Sequence, residues 1–381
     1  MTHRKERFHI MTFNKSFISS VFGGLLLLLP SVSAFLPAQH IRHQPHLSCV
    51  TQHSMTIAWT STDSAETKIL WRPLVGKWKE AVIPEKRLAH SYVLEGLLPS
   101  TSYQYRVVAG NDTTEQYAFM TAVKQNEPFS FAAYGDTRSN RDAHVSVLRA
   151  MKEKNPKLIV NTGDLVAKSA NELWDDYFED ICSKTGVGQN IPVYSSPGNH
   201  EKGAMYFENV LMPHNNPANS PAYYSFDYGN VHFISLNSEI PYDSLSEQYQ
   251  WLLNDLRSEA TKKAAFKIAF WHRPPYSSSI HGSDLNTRSV LCPVLEAHGV
   301  DIVFNGHDHV YERTKAVNGT TYVVTGGGGA PLYDFKTENE WTAYKEKNYH
   351  FCLLNVEGKR LKMLMIRPDG EVRDSLIIVK P

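Results

Sequence analysis

The stretch "DIVFNGHDHVYERT", residues 301–314, decides the reading of this chain. Ile302, Val303 and Phe304 read as the end of a buried strand, and Gly306, His307, Asp308 and His309 follow at once. Two imidazoles flank a carboxylate, and no Lys or Arg stands nearby before Arg313. The same device recurs upstream. "FAAY" runs into Gly135-Asp136, "LIVNT" into Gly163-Asp164, "VYSSP" into Gly198-Asn199-His200-Glu201, and "IAFW" into His272-Arg273. Ligands of open α/β sheets bind beyond the carboxyl ends of the strands. The glycines let the backbone turn sharply as it leaves the sheet. One Gly-Asp after a strand is an ordinary turn, but five chain segments ending in Asp, Asn or His at one sheet edge form a set. Carboxylates and imidazoles suit divalent zinc, iron or manganese. A carboxylate has two oxygens, so a single Asp can bridge two ions about 3.5–4 Å apart.

Around these loops the chain divides by texture. Period-two alternation marks residues 45–122: Met55, Ile57 and Trp59 share one face, as do Tyr103, Tyr105 and Val107. Pro, Gly, Ser and Asn punctuate the strands at short intervals, which predicts a β-sandwich. "AVKQNEPFS", residues 122–130, reads as a polar linker. From 123 to 381 short apolar strands alternate with helical patterns such as "DAHVSVLRAMKEK", which predicts an α/β layered domain with mixed sheets. "SFDYGNVHFISLN" predicts a hairpin turning at Gly229-Asn230, and Ser244-x-x-Glu247 predicts the capping box of the next helix.

The composition is that of a globular protein, 42% hydrophobic and 20% charged with a formal net charge of zero, and no polybasic run points to nucleic acid. Arg4, Lys5, Arg7 and Lys15 precede the apolar stretch Phe17 to Leu29, then Pro30 and the small residues Val32 and Ala34. This predicts a signal peptide over residues 1–34, cut after Ala34, and a mature segment 35–44 before the sandwich. The apolar core is short of the roughly 20 residues of a membrane-spanning helix, so no stable anchor is expected. Removing those four basic residues and Glu6 from 39 and 39 leaves 35 basic and 38 acidic residues, a net charge of −3. Export leaves Cys49, Cys182, Cys292 and Cys352 either as one or two disulfides or as small buried apolar residues.

The order and spacing of the five loops resemble the calcineurin-like metallophosphoesterases, and within them the purple acid phosphatases. "GNHE", "YYSFDYGNVHFISLNS", "GHDHVYERT" and "VVTGGGGAPLY" carry the resemblance, together with "LLPSTSYQYRV", which is similar to the tyrosine corner of fibronectin type III domains. The implied architecture is a fibronectin type III-like β-sandwich followed by an α/β domain of two mixed sheets packed face to face and flanked by helices. The resemblance implies two divalent or mixed-valence ions of iron, zinc or manganese. Asp136, Asp164 and His309 would hold one, and Asp164, Asn199, His272 and His307 the other. His200 would face the substrate phosphate without binding metal, and His281 matches a substrate-side histidine of the plant members. Glu201 and Asp308 read as supporting or outward-facing residues.

Two positions depart from the family. Ala167 stands where the purple members have the tyrosine that colours their iron, so this chain is expected to be colourless. Arg138 stands two residues after the first motif Asp, where other branches have a ligand His, which leaves the first ion three protein ligands. His144, at the start of the following helix, is expected to fill that gap, and Arg138 to meet the phosphate, since its fork fits phosphate oxygens. The expected activity is hydrolysis of a small-molecule phosphate monoester by a metal-held hydroxide. The alternatives are a phosphodiesterase on the same centre and a binding protein with a vestigial site. No G-x-S-x-G elbow or phosphate-loop Lys-Ser/Thr offers another chemistry.

Overall fold

The structure, a computed structural model, describes residues 40–381 except 65, 202, 203, 214 and 218. The expected signal peptide and its cut after Ala34 lie outside the described residues.

Two small antiparallel sheets form the amino-terminal part. One orders the strands Ile41–Ser48, Met55–Ser61 and Ala89–Leu94; the other orders Lys79–Ile83, Thr67–Pro73, Ser102–Ala109 and Asp112–Thr113, with Tyr117–Met120 also on Ser102–Ala109. Strict alternation along Ser102–Ala109 buries Tyr103, Tyr105, Val107 and Ala109. The Tyr103 hydroxyl accepts the Leu98 N–H at 2.9 Å, which makes the tyrosine corner. The first strand begins at Ile41, inside the segment expected to precede the sandwich. Its register breaks twice, which hides its alternation from a reading of period two.

Two mixed sheets follow. The six-stranded one runs Val193–Ser195, Ile159–Asn161, Phe129–Tyr134, Phe351–Glu357, Arg360–Ile366, Val372–Val379. The seven-stranded one runs Tyr224–Tyr228, Val231–Ser235, Phe266–Phe270, Ile302–Asn305, Thr321–Thr325, Tyr311–Thr314, Thr342–Glu346. Aromatic side chains lock the sheets face to face. Phe131 meets Phe233 edge-on at 5.0 Å, and Tyr194 stacks on Phe226 at 3.8 Å. The hairpin turns at Gly229-Asn230 as its sequence predicts, with Gly229 at φ 59°. The helix Glu247–Leu256 is capped by the hydroxyl of Ser246, which accepts the Tyr249 N–H, and not by Ser244. Helix Arg141–Glu153 is capped by Asn140 and buries Val147, Leu148 and Met151.

One apolar core runs from Leu47 and Trp59 of the sandwich through Phe131 and Phe178 to Ile366, and a second lies around Leu252, Trp271 and Leu295. The Leu47 N–H donates to the Gly188 carbonyl at 2.9 Å, and the Tyr105 hydroxyl to that of Gln189 at 2.8 Å. The sandwich is thus built into the larger part of the molecule. None of the four cysteines is paired; Cys182, Cys292 and Cys352 are buried and Cys49 half-buried. Among the described residues no helix is long and apolar enough to cross a membrane.

Candidate metal centre

The five loops come from both sheets, not from one edge as their sequence pattern suggests. The strands Phe129–Tyr134, Ile159–Asn161 and Val193–Ser195 belong to the six-stranded sheet, Phe266–Phe270 and Ile302–Asn305 to the other. Where the two sets of carboxyl ends meet, ligand atoms of Asp136, Asp164 and His272 all lie within 4.8 Å of one another.

The backbone is bent to bring them there. Asp136, Asp164 and His307 take φ of 57°, 57° and 70°, the left-handed region that non-glycine residues seldom occupy. Glycine permits the close approach of the loops: a Cβ on Gly198 would lie 2.2 Å from Asp164 Oδ1, and one on Gly306 2.4 Å from Asp136 Oδ2. Asp136 is fully buried and accepts the His307 N–H on both oxygens, at 3.1 and 2.9 Å. Burial, and then the neighbouring Asp164 carboxylate, push the Asp136 carboxyl well above its ordinary range. Burial pushes Asp164 the same way, but His272, His200 and Arg138 outweigh it and hold Asp164 below its ordinary value.

The histidine tautomers follow from their partners, because a carbonyl can only accept. His272 Nδ1–H donates to the Thr162 carbonyl at 3.0 Å, and His309 Nδ1–H to that of Pro331 at 2.7 Å. Each therefore turns an Nε2 lone pair inward. His272 Nε2 faces Asn199 Oδ1 at 2.9 Å, His307 Nδ1 at 3.2 Å and Asp164 Oδ1 at 3.4 Å. His309 Nε2 faces Asp136 Oδ1 at 3.5 Å. Burial lowers His307 to about 2 and His309 to about 4, so both rings are neutral at ordinary pH. The His272 Nε2 lone pair, Asn199 Oδ1 and Asp164 Oδ1 are acceptors aimed at one another, which repel unless a cation lies among them. The donor set, two carboxylates with imidazole and amide, fits divalent ions.

Other predicted residues lie at the rim or elsewhere. His200 donates its Nδ1–H to the Ala167 carbonyl and holds Nε2 3.7 Å from Asp164 Oδ2, with 30% of its side chain exposed. His281 is exposed, and its ring lies tilted at 31° to that of His307 with the centroids 4.4 Å apart. Arg138 lies inside the cluster, its Nε 3.1 Å from Asp164 Oδ2. His144 is placed elsewhere. Its Nε2 meets the Tyr134 hydroxyl at 3.4 Å, its Nδ1 lies 3.6 Å from Asp180, and its ring is stacked between Tyr134 and Tyr177. Both nitrogens are turned to these partners, and His144 does not join the cluster in which a first ion was expected.

Three further residues border the cluster: Glu201 and Asp308 take the supporting place of the two expected for them, and no role for Tyr333 follows from the sequence. Glu201 faces inward: Oε2 accepts the N–H groups of Asp164 and Gly198 at 2.9 and 2.8 Å, and Oε1 that of Val166 at 3.0 Å. It ties two ligand loops together, and burial pushes it up to about 8. Asp308, also fully buried, accepts the Ser277 hydroxyl and the His281 N–H, so it holds the loop that carries His281. Tyr333 stacks on His309 at 3.9 Å and meets His281 edge-on at 5.4 Å. Its signal is its place just after the glycine run, which passes close to the site: a Cβ on Gly328 would lie 2.3 Å from the Gly135 carbonyl.

Residues 129–311 match the calcineurin-like phosphoesterase family, and residues 319–375 match the carboxyl-terminal model of iron/zinc purple acid phosphatase-like proteins. Purple acid phosphatase 21 of Arabidopsis thaliana is 32% identical over 74% of this chain and 69% of its own length. The chain belongs to the purple acid phosphatase-like metallophosphoesterases. It is therefore one of a family of metal-dependent phosphoric ester hydrolases that use a dinuclear centre. Acid phosphatase type 7 of Mus musculus, 24% identical, spans 96% of this metallophosphoesterase and 98% of its own length. The purple acid phosphatase PPD1 of yellow lupin seeds superposes with a TM-score of 0.77 over 88% of this chain and 74% of its own, at 22% identity, a likeness of fold.

Proposed function

We propose that this protein is an exported phosphatase that hydrolyses small-molecule phosphate monoesters at a two-ion centre. Asp136, Asp164 and His309 would hold one ion and Asp164, Asn199, His272 and His307 the other. The observation that carries this reading is the inward convergence of lone pairs, with His272 and His309 fixed from behind by main-chain carbonyls. Bound ions would neutralise phosphate charge and supply a water ionised near neutral pH.

The chain's own groups then place and protonate the substrate. His200, tethered through Nδ1–H and open at Nε2, stands at the mouth, where it steadies the phosphoryl oxygens or passes a proton to the departing alkoxide. His281 lines the opposite rim, above His307, within reach of a bound ester. Arg138 offers its fork to phosphate oxygens from the Asp164 side. No bond from the chain to phosphorus is required.

The test is a panel of one aryl monoester and one aryl diester with manganese, zinc or iron added back to stripped protein. Faster turnover of the diester would overturn the monoester assignment, and no turnover of either would leave a binding protein. His200→Ala should retain its metal and lose about 10²–10⁴ in kcat. Asp164→Ala should empty both sites by elemental analysis.

A further inference from the structure

Arg138 lies among the donors assigned to the first ion. Its Nε donates to Asp164 Oδ2 at 3.1 Å, and its Nη2 reaches His309 Nε2 at 3.4 Å. The His309 lone pair is available to it because Nδ1–H is committed to Pro331. Thus one guanidinium engages two of the three lone pairs assigned to the first ion, and only Asp136 is left. The Arg138 side chain is only 14% exposed, and Tyr333, stacked on His309, is hydrogen-bonded to it. Of the second set, the shared Asp164 turns Oδ1 to His272 and meets Arg138 only through Oδ2, and Asn199, His272 and His307 have no contact with Arg138 among those described for it.

We propose that Arg138 is a built-in rival of the first ion, so that the two sites bind with unequal strength and the first fills only when the guanidinium leaves Asp164 and His309. The inference rests on the two-ion reading above and adds an order of filling to it. An Arg is always charged and cannot yield by losing a proton, so it must swing away. Released, its planar fork is free for the oxygens of a bound phosphate, and the residue that excludes the first ion becomes a phosphate ligand once that ion is in place. Charge-assisted hydrogen bonds of this kind must be broken for the ion to enter, which weakens its binding by about 10- to 100-fold.

The probe is Mn²⁺ titrated into the stripped full chain. Free ion is followed by its EPR signal, and an occupied pair by its exchange-coupled spectrum. The wild-type chain is expected to take one Mn²⁺ at least about tenfold more tightly than the second. Arg138→Ala should tighten the second ion about 10- to 100-fold and bring in the coupled spectrum at lower Mn²⁺. Arg138→Gln, which keeps a donor and removes the charge, should move the same way and serves if the Ala variant fails to fold. Arg138→Lys, charged but without the fork, should fall between. Two equal sites in the wild-type chain, or a second ion no tighter in both neutral variants, would overturn the proposal and leave the metal centre standing. No Mn²⁺ bound by any variant would sink the metal centre, and this inference with it.

Discussion

His144→Ala separates a ligand from a packing residue. The ring is 2% exposed and lies between the Tyr134 and Tyr177 rings, and burial lowers its basicity against the pull of Asp180. Removing a buried aromatic ring costs about 3–5 kcal/mol through lost transfer energy and the cavity left behind. An imidazole gains less from burial than a benzene ring, and Asp180 keeps Arg141 and Lys184 as partners. The lower end applies, about 3 kcal/mol. At about 2.1 cal/mol/K per residue, the roughly 340 folded residues give about 0.7 kcal/mol/K, so Tm falls by about 4 °C. Metal content, measured by elemental analysis after reconstitution, should stay at the wild-type level. His144→Phe keeps the stacking and should recover most of the loss. An Ala variant that melts with the wild-type chain but holds one ion fewer would refute the packing account and restore His144 as a ligand.

Three more predictions follow from the geometry. Glu201→Gln leaves one acceptor oxygen where two served three N–H groups, so one of them is orphaned; it should cost about 1–3 kcal/mol in urea unfolding and weaken metal binding by about 10- to 100-fold in titration. Gly306→Ala should weaken metal binding by a similar factor, about tenfold or more, while far-UV dichroism stays native, because the new Cβ must displace Asp136 Oδ2. His232, far from the site in function, gives a pH signature. Burial lowers its basicity, but Asp227 at 2.7 Å and Asp255 at 2.9 Å outweigh this and raise it to about 9. Its folded value lies above its unfolded 6.5, so its contribution is complete below pH 6.5 and disappears as pH rises through 9. Discounted for the exposed Asp227, it is about 2 kcal/mol, and His232→Gln should lose that at pH 6 and almost nothing at pH 10 in urea titrations.

Much of this was legible because the chain writes the ligand loops in a common grammar, an apolar strand and then the polar group, with a glycine between them in every loop except that of His272, which follows Trp271 directly. Asp136, Asp164, Asn199, His272, His307 and His309 are brought to one place, as that grammar suggests. What it does not carry is the assignment of strands to sheets. "FAAY" and "IAFW" are alike as strings, yet one lies in the six-stranded sheet and the other in the seven-stranded one. Pairing is decided by contacts far apart in the chain, and periodicity does not report them. His144 was misplaced for a related reason. Nearness in sequence to Asp136 put it beside the first loop, but its position on the helix turns the ring toward Tyr134 and Tyr177. Tyr333 reaches His309 from 24 positions further along, after a glycine run whose path no local pattern predicts. Ser246 caps in place of Ser244 because the helix starts at Glu247, and the capping-box pattern does not mark Ser246, which has Tyr249 three residues on.

The shared apolar core has a practical meaning for anyone who cuts this molecule. A protease that nicks the exposed turn at 124–127 would sever the polypeptide and leave both fragments clasped through Leu47, Tyr105 and the aromatic cluster around Phe178. Expressed alone, the larger fragment would carry a bare greasy wall where the sandwich had been. The hydrolase and its amino-terminal companion are two chapters of one folding unit, and neither can be published separately.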